Sequence, residues 1–186
     1  MRQFIALLAF ILILSSCQKE DPKTIYFVRH AEKDTLYPKD PALTIEGVMR
    51  SVDLAAYFKH IKVDTIFSSD YKRTKETAQP LSEKQGVGIG IYDPMDFESF
   101  AENLKSLKAD TIVVVGHSNT LLPQMEALGA EKPQAEITEF EYNKLFEFHL
   151  VDKSVITHTY GSNGKVKKSN KLINTKSDKS NISPVN

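Results

Sequence analysis

Thr24-Ile25-Tyr26-Phe27-Val28-Arg29-His30 is the stretch on which the fold turns, a nearly continuous apolar run closed by an arginine and a histidine. A half-exposed strand would alternate, so so short and unbroken a run is expected of a strand buried on both faces of a parallel sheet. Thr111-Ile112-Val113-Val114-Val115-Gly116 repeats the pattern and is also followed by a histidine, His117. Residues 64–68 and 87–92 read as two further strands, the second weakened by Gly88 and Gly90. Helical periods fall between them. Ile45, Val48, Val52, Ala55 and Ala56 share one helix face behind Thr44 as N-cap. Residues 71–84 read as a helix ending near Gly86, and Phe97, Phe100, Ala101, Leu104 and Leu107 line one face of another. Residues 145–150 and 155–159 alternate around Val151-Asp152-Lys153-Ser154 and predict a hairpin. The expected architecture is a three-layer α/β/α sandwich with a mostly parallel sheet and an antiparallel hairpin at one edge.

Outward from this core, 186 residues suit one domain with short appendages. Lys plus Arg equals Asp plus Glu at 24 each, so the chain has no net field to draw in nucleic acid, and any anion site must be local. Arg2, the apolar run from Phe4 to Leu14 and the small residues after it form the pattern of a secretory signal, too short to span a bilayer. Leu14-Ser15-Ser16-Cys17 resembles the bacterial lipobox, which implies lipidation of Cys17, the sole cysteine. The expected organisation is a signal peptide over 1–16, a lipidated Cys17 and polar tether over 17–23, a folded domain over 24–161, and a disordered Ser-, Asn- and Lys-rich tail over 162–186. The expected address is a bacterial cell envelope, with the domain lipid-anchored and facing periplasm or exterior, and the membrane touched through the anchor.

In open α/β sheets ligands gather at the carboxyl ends of the strands. Three segments fall there: Arg29-His30-Ala31-Glu32-Lys33, Ser68-Ser69-Asp70-Tyr71-Lys72-Arg73, and Gly116-His117-Ser118-Asn119. They bring two histidines and two arginines to one rim. Imidazole can attack phosphorus and leave again, while arginine grips phosphate oxygens through a planar fork that stays charged. Phosphoryl transfer is mostly positioning and charge stabilisation, so these residue types suffice for it with no cofactor and no metal.

The same segments carry a family resemblance. Arg29-His30-Ala31-Glu32 resembles the RHG signature of the histidine phosphatase (phosphoglycerate mutase-like) superfamily, with Ala where Gly is usual. Leu43-Thr44 with Gly47 resembles its LTxxG helix start. Ser68-Ser69, Arg73-Thr74 and Thr77-Ala78 resemble its SSxxxRTxxTA segment, and Val115-Gly116-His117-Ser118 the strand bearing its second histidine. The resemblance spans roughly residues 24–160. It implies that His30 is the nucleophile that becomes phosphohistidine, and that Arg29, Arg73 and His117 bind the phosphoryl oxygens. It further implies a metal-independent phosphatase acting on a small phosphorylated substrate, a phosphomonoester or phosphohistidine. The family's general acid has no clear counterpart. Asp93 and Asp96 lie in the right interval, and helix capping is the stronger reading of Asp96.

Two other readings carry less. Gly116-His117-Ser118-Asn119-Thr120 is one residue from the G-x-S-x-G elbow, which would make Ser118 the nucleophile of an α/β-hydrolase. That reading leaves Arg29, His30 and Arg73 without a purpose. A binding-only lipoprotein could use the same cationic site, but it would have no need of His30. His60, His149 and His158 match no motif and read as exposed or edge-strand residues, while Glu32 and Lys33 stand between substrate contact and solvated loop charge. Substrate identity, the membrane and leaflet, and oligomeric state are not written in the sequence.

Overall fold

A computed structural model describes residues 22–36 and 39–161 and the backbone of Lys167–Lys168. The expected signal segment, Cys17, most of the tether and the remainder of the polar tail lie outside the described residues. In chain order the elements are β1 (Thr24–Arg29), α1 (Ile45–Tyr57), a single 3₁₀ turn (Phe58–His60), β2 (Thr65–Ser69), α2 (Lys72–Gln85), β3 (Ile89–Tyr92), α3 (Phe97–Ser106), β4 (Thr111–Gly116), α4 (Leu121–Ala127), β5 (Lys144–His149), β6 (Val155–Thr159) and β7 (Lys167–Lys168).

The strands form one sheet in the order β3-β2-β4-β1-β5-β6-β7. The first four are mutually parallel, β5 runs antiparallel to β1, and β6 closes the hairpin with β5. The two-residue β7, inside the stretch expected to be a disordered tail, pairs with β6.

The continuous apolar runs are explained by the two cores. Ile25 and Phe27 of β1 pack with Ile112 and Val114 of β4 against Phe100, Leu104, Leu121 and Met125 of α3 and α4. The alternate residues Tyr26, Val28, Val113 and Val115 pack on the opposite face with Leu54, Phe58, Ala78 and Leu81. Each fully buried side chain of this size contributes roughly 1.5–3 kcal/mol over exposure, so both faces of β1 and β4 must be apolar. This is the three-layer α/β/α sandwich expected.

The sequence reading chose the wrong face of α1. Ile45, Val48 and Val52 are exposed, as is Ala56, whereas the helix buries Gly47, Ser51, Leu54 and Ala55. Close packing decides this: a Cβ on Gly47 would lie 2.2 Å from the Glu32 carbonyl oxygen, so only the glycine face can approach the loop after β1. Ser51 is tolerated in the core because its hydroxyl donates to the Val48 carbonyl. Thr44 does cap the helix, accepting from the Gly47 N–H at 3.1 Å. Lys23, at the end of the expected tether, is buried, and its ammonium donates to the carbonyls of Leu104, Lys105 and Leu107 at the carboxyl end of α3.

Candidate active site

The parallel register of β1 and β4 sets Arg29 opposite Gly116, so His30 and His117 leave the sheet as neighbours. The His30 N–H donates to the Gly116 carbonyl at 2.9 Å, and the two imidazole rings lie 5.5 Å apart. β2 ends on the other side of β4, and α2 starts three residues later, which brings Arg73 to the same rim. Arg29, His30, Arg73 and His117, separated by up to 88 positions in the chain, therefore converge as the sequence expected.

His30 is held in one tautomer. Its Nδ1 lies 2.8 Å from the Ala31 carbonyl, which can only accept, so Nδ1 carries the proton and Nε2 keeps its lone pair. Burial pushes the His30 imidazole down to about 3, and the positive charges of Arg29 and Arg73 act the same way. His117 is pushed down to about 4, first by burial and then by Arg73 and Arg29. An Nη of Arg73 can only donate to His117 Nδ1, 3.4 Å away, so Nε2 bears the proton and donates to Ser69 Oγ at 2.8 Å. Ser69 in turn donates to Thr74, whose hydroxyl ends on the Tyr71 carbonyl.

The motif residues around these four now have physical reasons. Thr77 accepts from the Ala31 N–H at 2.9 Å and donates to the Arg73 carbonyl at 2.6 Å, tying the loop of His30 to the helix of Arg73. The Ala31 side chain is fully buried at the position where glycine is usual. Gly47 lets α1 press against Glu32, and Glu32 is bound by Arg50 through both carboxylate oxygens at 2.6–2.9 Å. Glu32 is thus a bracing residue of the loop.

Arg29 is buried and Arg73 partly buried, each with donors to spare. Arg29 gives one Nη to the Thr138 carbonyl at 2.7 Å and the other to Glu139 at 3.3 Å, while its Nε has no partner among the described residues. The Nε of Arg73 is likewise buried and unpartnered, and Asp40 stands 3.8 Å from one of its terminal nitrogens. A buried polar group left unpaired costs roughly 1–3 kcal/mol, more when charged, so two such donors beside the histidine pair mark where an anion would be bound. Two tyrosines complete the walls. Arg29 lies over the ring of Tyr142 at 4.3 Å, and Arg73 over the ring of Tyr71 at 4.4 Å.

Asp93 lines a cavity together with Tyr71, and the other sequence candidates make contacts of their own. The carboxylate of Asp93 accepts from the Met95 N–H, and that of Asp96 caps α3 by accepting from the Ser99 N–H. No helix starts directly after His117; Thr120 and Leu121 bond back to the His117 carbonyl, and α4 begins at Leu121. Among the described residues no hydrogen bond joins Ser118 to a histidine. His149 and His158 both face Glu147, and His158, expected to be exposed or at an edge, is buried. Glu139, Tyr142 and Asp40 escaped the sequence reading. Tyr142 and Glu139 lie in an aperiodic stretch before β5, and Asp40 holds a left-handed backbone, φ 54°, that no neighbouring glycine announces.

Residues 25–96 match the family model of the histidine phosphatase superfamily (branch 1). That segment holds Arg29, His30, Gly47 and Arg73; His117 lies beyond it and is placed by the β1–β4 register. No curated protein sequence matches the chain. The fold is similar to that of solved phosphatases. A protein assigned as the phosphohistidine phosphatase SixA from Agrobacterium tumefaciens superposes with a TM-score of 0.58 at 16% identity, over 76% of this chain and 98% of that one. A protein assigned as an alpha-ribazole-5'-P phosphatase from Escherichia coli gives 0.59 at 13% identity, over 75% and 97%. Phosphoserine phosphatase from Entamoeba histolytica, solved with 3-phosphoglyceric acid, gives 0.55 at 15% identity, over 75% and 97%. The matched segment is thus similar to the histidine phosphatase superfamily, and the fold that surrounds it is that of the solved phosphatases.

Proposed function

We propose that the chain hydrolyses a phosphomonoester through a covalent phosphohistidine on His30, with no metal taking part. The observation that carries this reading is the state of His30: Nδ1–H is committed to the Ala31 carbonyl, burial keeps the ring neutral, and the Nε2 lone pair is left in the field of Arg29 and Arg73, each with an unused Nε donor. A mere binding site for an anion would do better with a protonated imidazole. Substrate enters with its phosphoryl oxygens on the Arg29 and Arg73 guanidinium groups, displacing Glu139 from Arg29. His30 Nε2 forms a bond to phosphorus as the ester P–O bond breaks, and the leaving oxygen takes a proton at the open mouth of the site. The dianion offsets the repulsion of the arginines, so His117 Nδ1 takes up a proton from solvent and its N–H hydrogen-bonds to a phosphoryl oxygen. Water then attacks phosphorus, the P–N bond breaks, and inorganic phosphate leaves with His30 restored. Two fixed guanidinium charges supply the stabilisation that such a transition state needs.

We further propose, from the lipobox-like stretch ending at Cys17, that the protein is lipid-anchored in a bacterial envelope. The catalytic reading is tested by phosphate release from 4-nitrophenyl phosphate in the presence of EDTA. Turnover that survives the chelator and disappears in His30→Ala supports it, and turnover retained by a folded His30→Ala protein refutes the assignment of the nucleophile.

A further inference from the structure

Large apolar side chains stand exposed among the charged ones at the pole of the sheet that carries the site, in loops and helix starts. Phe140, next to the Glu139 that touches Arg29, is 92% exposed, and Leu36, in the loop that follows His30, is 82% exposed. Ile45 is 78% exposed at the first position of α1, with Met49 one turn on. Tyr71 stands 5.0 Å from the His117 ring, and Met95 follows β3. Of the large apolar side chains left exposed among the described residues, Leu36, Ile45, Tyr71, Met95 and Phe140 lie in segments that the topology brings to the carboxyl ends of the parallel strands, and Val48, Met49 and Val52 continue from Ile45 along the outer face of α1. Exposed hydrophobic residues scattered over a surface need no explanation, but several of them gathered at the pole that carries an anion site point to a binding surface.

We infer that the substrate is amphiphilic: a phosphomonoester on a hydrocarbon chain, of the lipid-phosphate class, with its head in the arginine cradle and its chain on the rim formed by Leu36, Ile45, Met49 and Phe140. The inference rests on the phosphatase reading and deepens it. Two features argue for this occupant over a protein partner. The cradle offers unpaired cationic donors for one compact anionic head, and exposed apolar side chains share its pole of the sheet. A carboxylate on each arginine, Glu139 and Asp40, disfavours a second anionic group beside the first, whereas a neutral hydrocarbon chain meets no such repulsion.

The test compares butyl phosphate with decyl phosphate, both kept below the concentration at which they form micelles. Their leaving groups are chemically alike, so only the chain differs. Burying one methylene is worth up to about fourfold in binding, from ~0.8 kcal/mol each, and kcat/KM is expected to rise at least tenfold from butyl to decyl. Phe140→Ser and Leu36→Ser, both at exposed positions, should shrink that rise, with decyl phosphate losing more than butyl phosphate. Equal kcat/KM for the two esters, or a rise untouched by both variants, overturns the inference. Calorimetric affinities for butylphosphonate and decylphosphonate give the same comparison without turnover, so a failure of catalysis is told apart from a failure of the chain subsite. A dimer in sedimentation that Phe140→Ser dissociates would assign the rim to a second copy of the chain and also overturn it.

Discussion

Replacing Gly47 by alanine puts the steric logic of the nucleophile loop to the test. The new Cβ would sit 2.2 Å from the Glu32 carbonyl oxygen and 3.1 Å from the Glu32 nitrogen, about 1 Å inside any tolerable contact. The loop has little room to yield. The Glu32 carbonyl accepts from the Thr44 N–H at 2.9 Å, its carboxylate is held by Arg50, and the neighbouring Ala31 N–H is bound to Thr77. Overpacking of this sort costs roughly 1–3 kcal/mol, and a weakened Thr44 bond adds on the order of 1 kcal/mol. Alanine returns about 1 kcal/mol through its better helix propensity, so the net loss is about 1–3 kcal/mol. A shift of order 1 Å two residues from the nucleophile should also lower kcat/KM by about 10²-fold. Denaturant midpoints and 4-nitrophenyl phosphate kinetics read the two effects. Gly88→Ala is the control, because a Cβ there meets nothing within 4 Å. If Gly47→Ala were as active as the parent and more stable by its helix propensity, the packing argument would be refuted.

Two further outcomes follow from the electrostatics of the site. Glu139→Gln removes the carboxylate that occupies Arg29, an exposed partner worth up to ~1 kcal/mol, so inhibition by inorganic phosphate should tighten about two- to fivefold; weaker inhibition would mean that Glu139 helps to bind the anion. The pH dependence of stability has a definite sign. Both His30 and His117 are depressed in the folded state, to about 3 and about 4, so below 6.5 the unfolded chain binds more protons than the folded one. Stability is therefore fully present above pH 6.5 and is lost as pH falls towards 4 and 3, by roughly 1 kcal/mol from each histidine over the first unit. Urea titrations of the parent and of His30→Asn should show a shallower slope in the variant, and parallel slopes would contradict the burial of a neutral His30.

The central sheet was legible because burial on both faces forces an unbroken apolar run, and β1 and β4 have one. The cradle was legible for a related reason: residues at strand ends are brought together by any parallel register, so Arg29, His30 and His117 needed no knowledge of side-chain packing. The α1 face was misread because Ile45, Val48 and Val52 make a better apolar stripe than Gly47, Ser51 and Leu54, and hydrophobic period carries no sign of which stripe must approach a backbone closely. Glu139, Asp40 and Tyr142 reach the arginines only through tertiary contacts of loops without period, and the apolar rim could be recognised only once those loops were placed at one pole of the sheet.

The central claim is a covalent intermediate, and trapping it is the most direct measurement. The protein would be mixed with a fast-turning aryl phosphate in EDTA, quenched in alkali within one turnover, and mapped by mass spectrometry. The expected result is one added phosphoryl group on His30, stable in alkali and labile in acid, absent from His30→Ala and lost on a chase without substrate. Turnover with no phosphoenzyme at any time, or a phosphoryl group on a residue other than His30, would contradict the account.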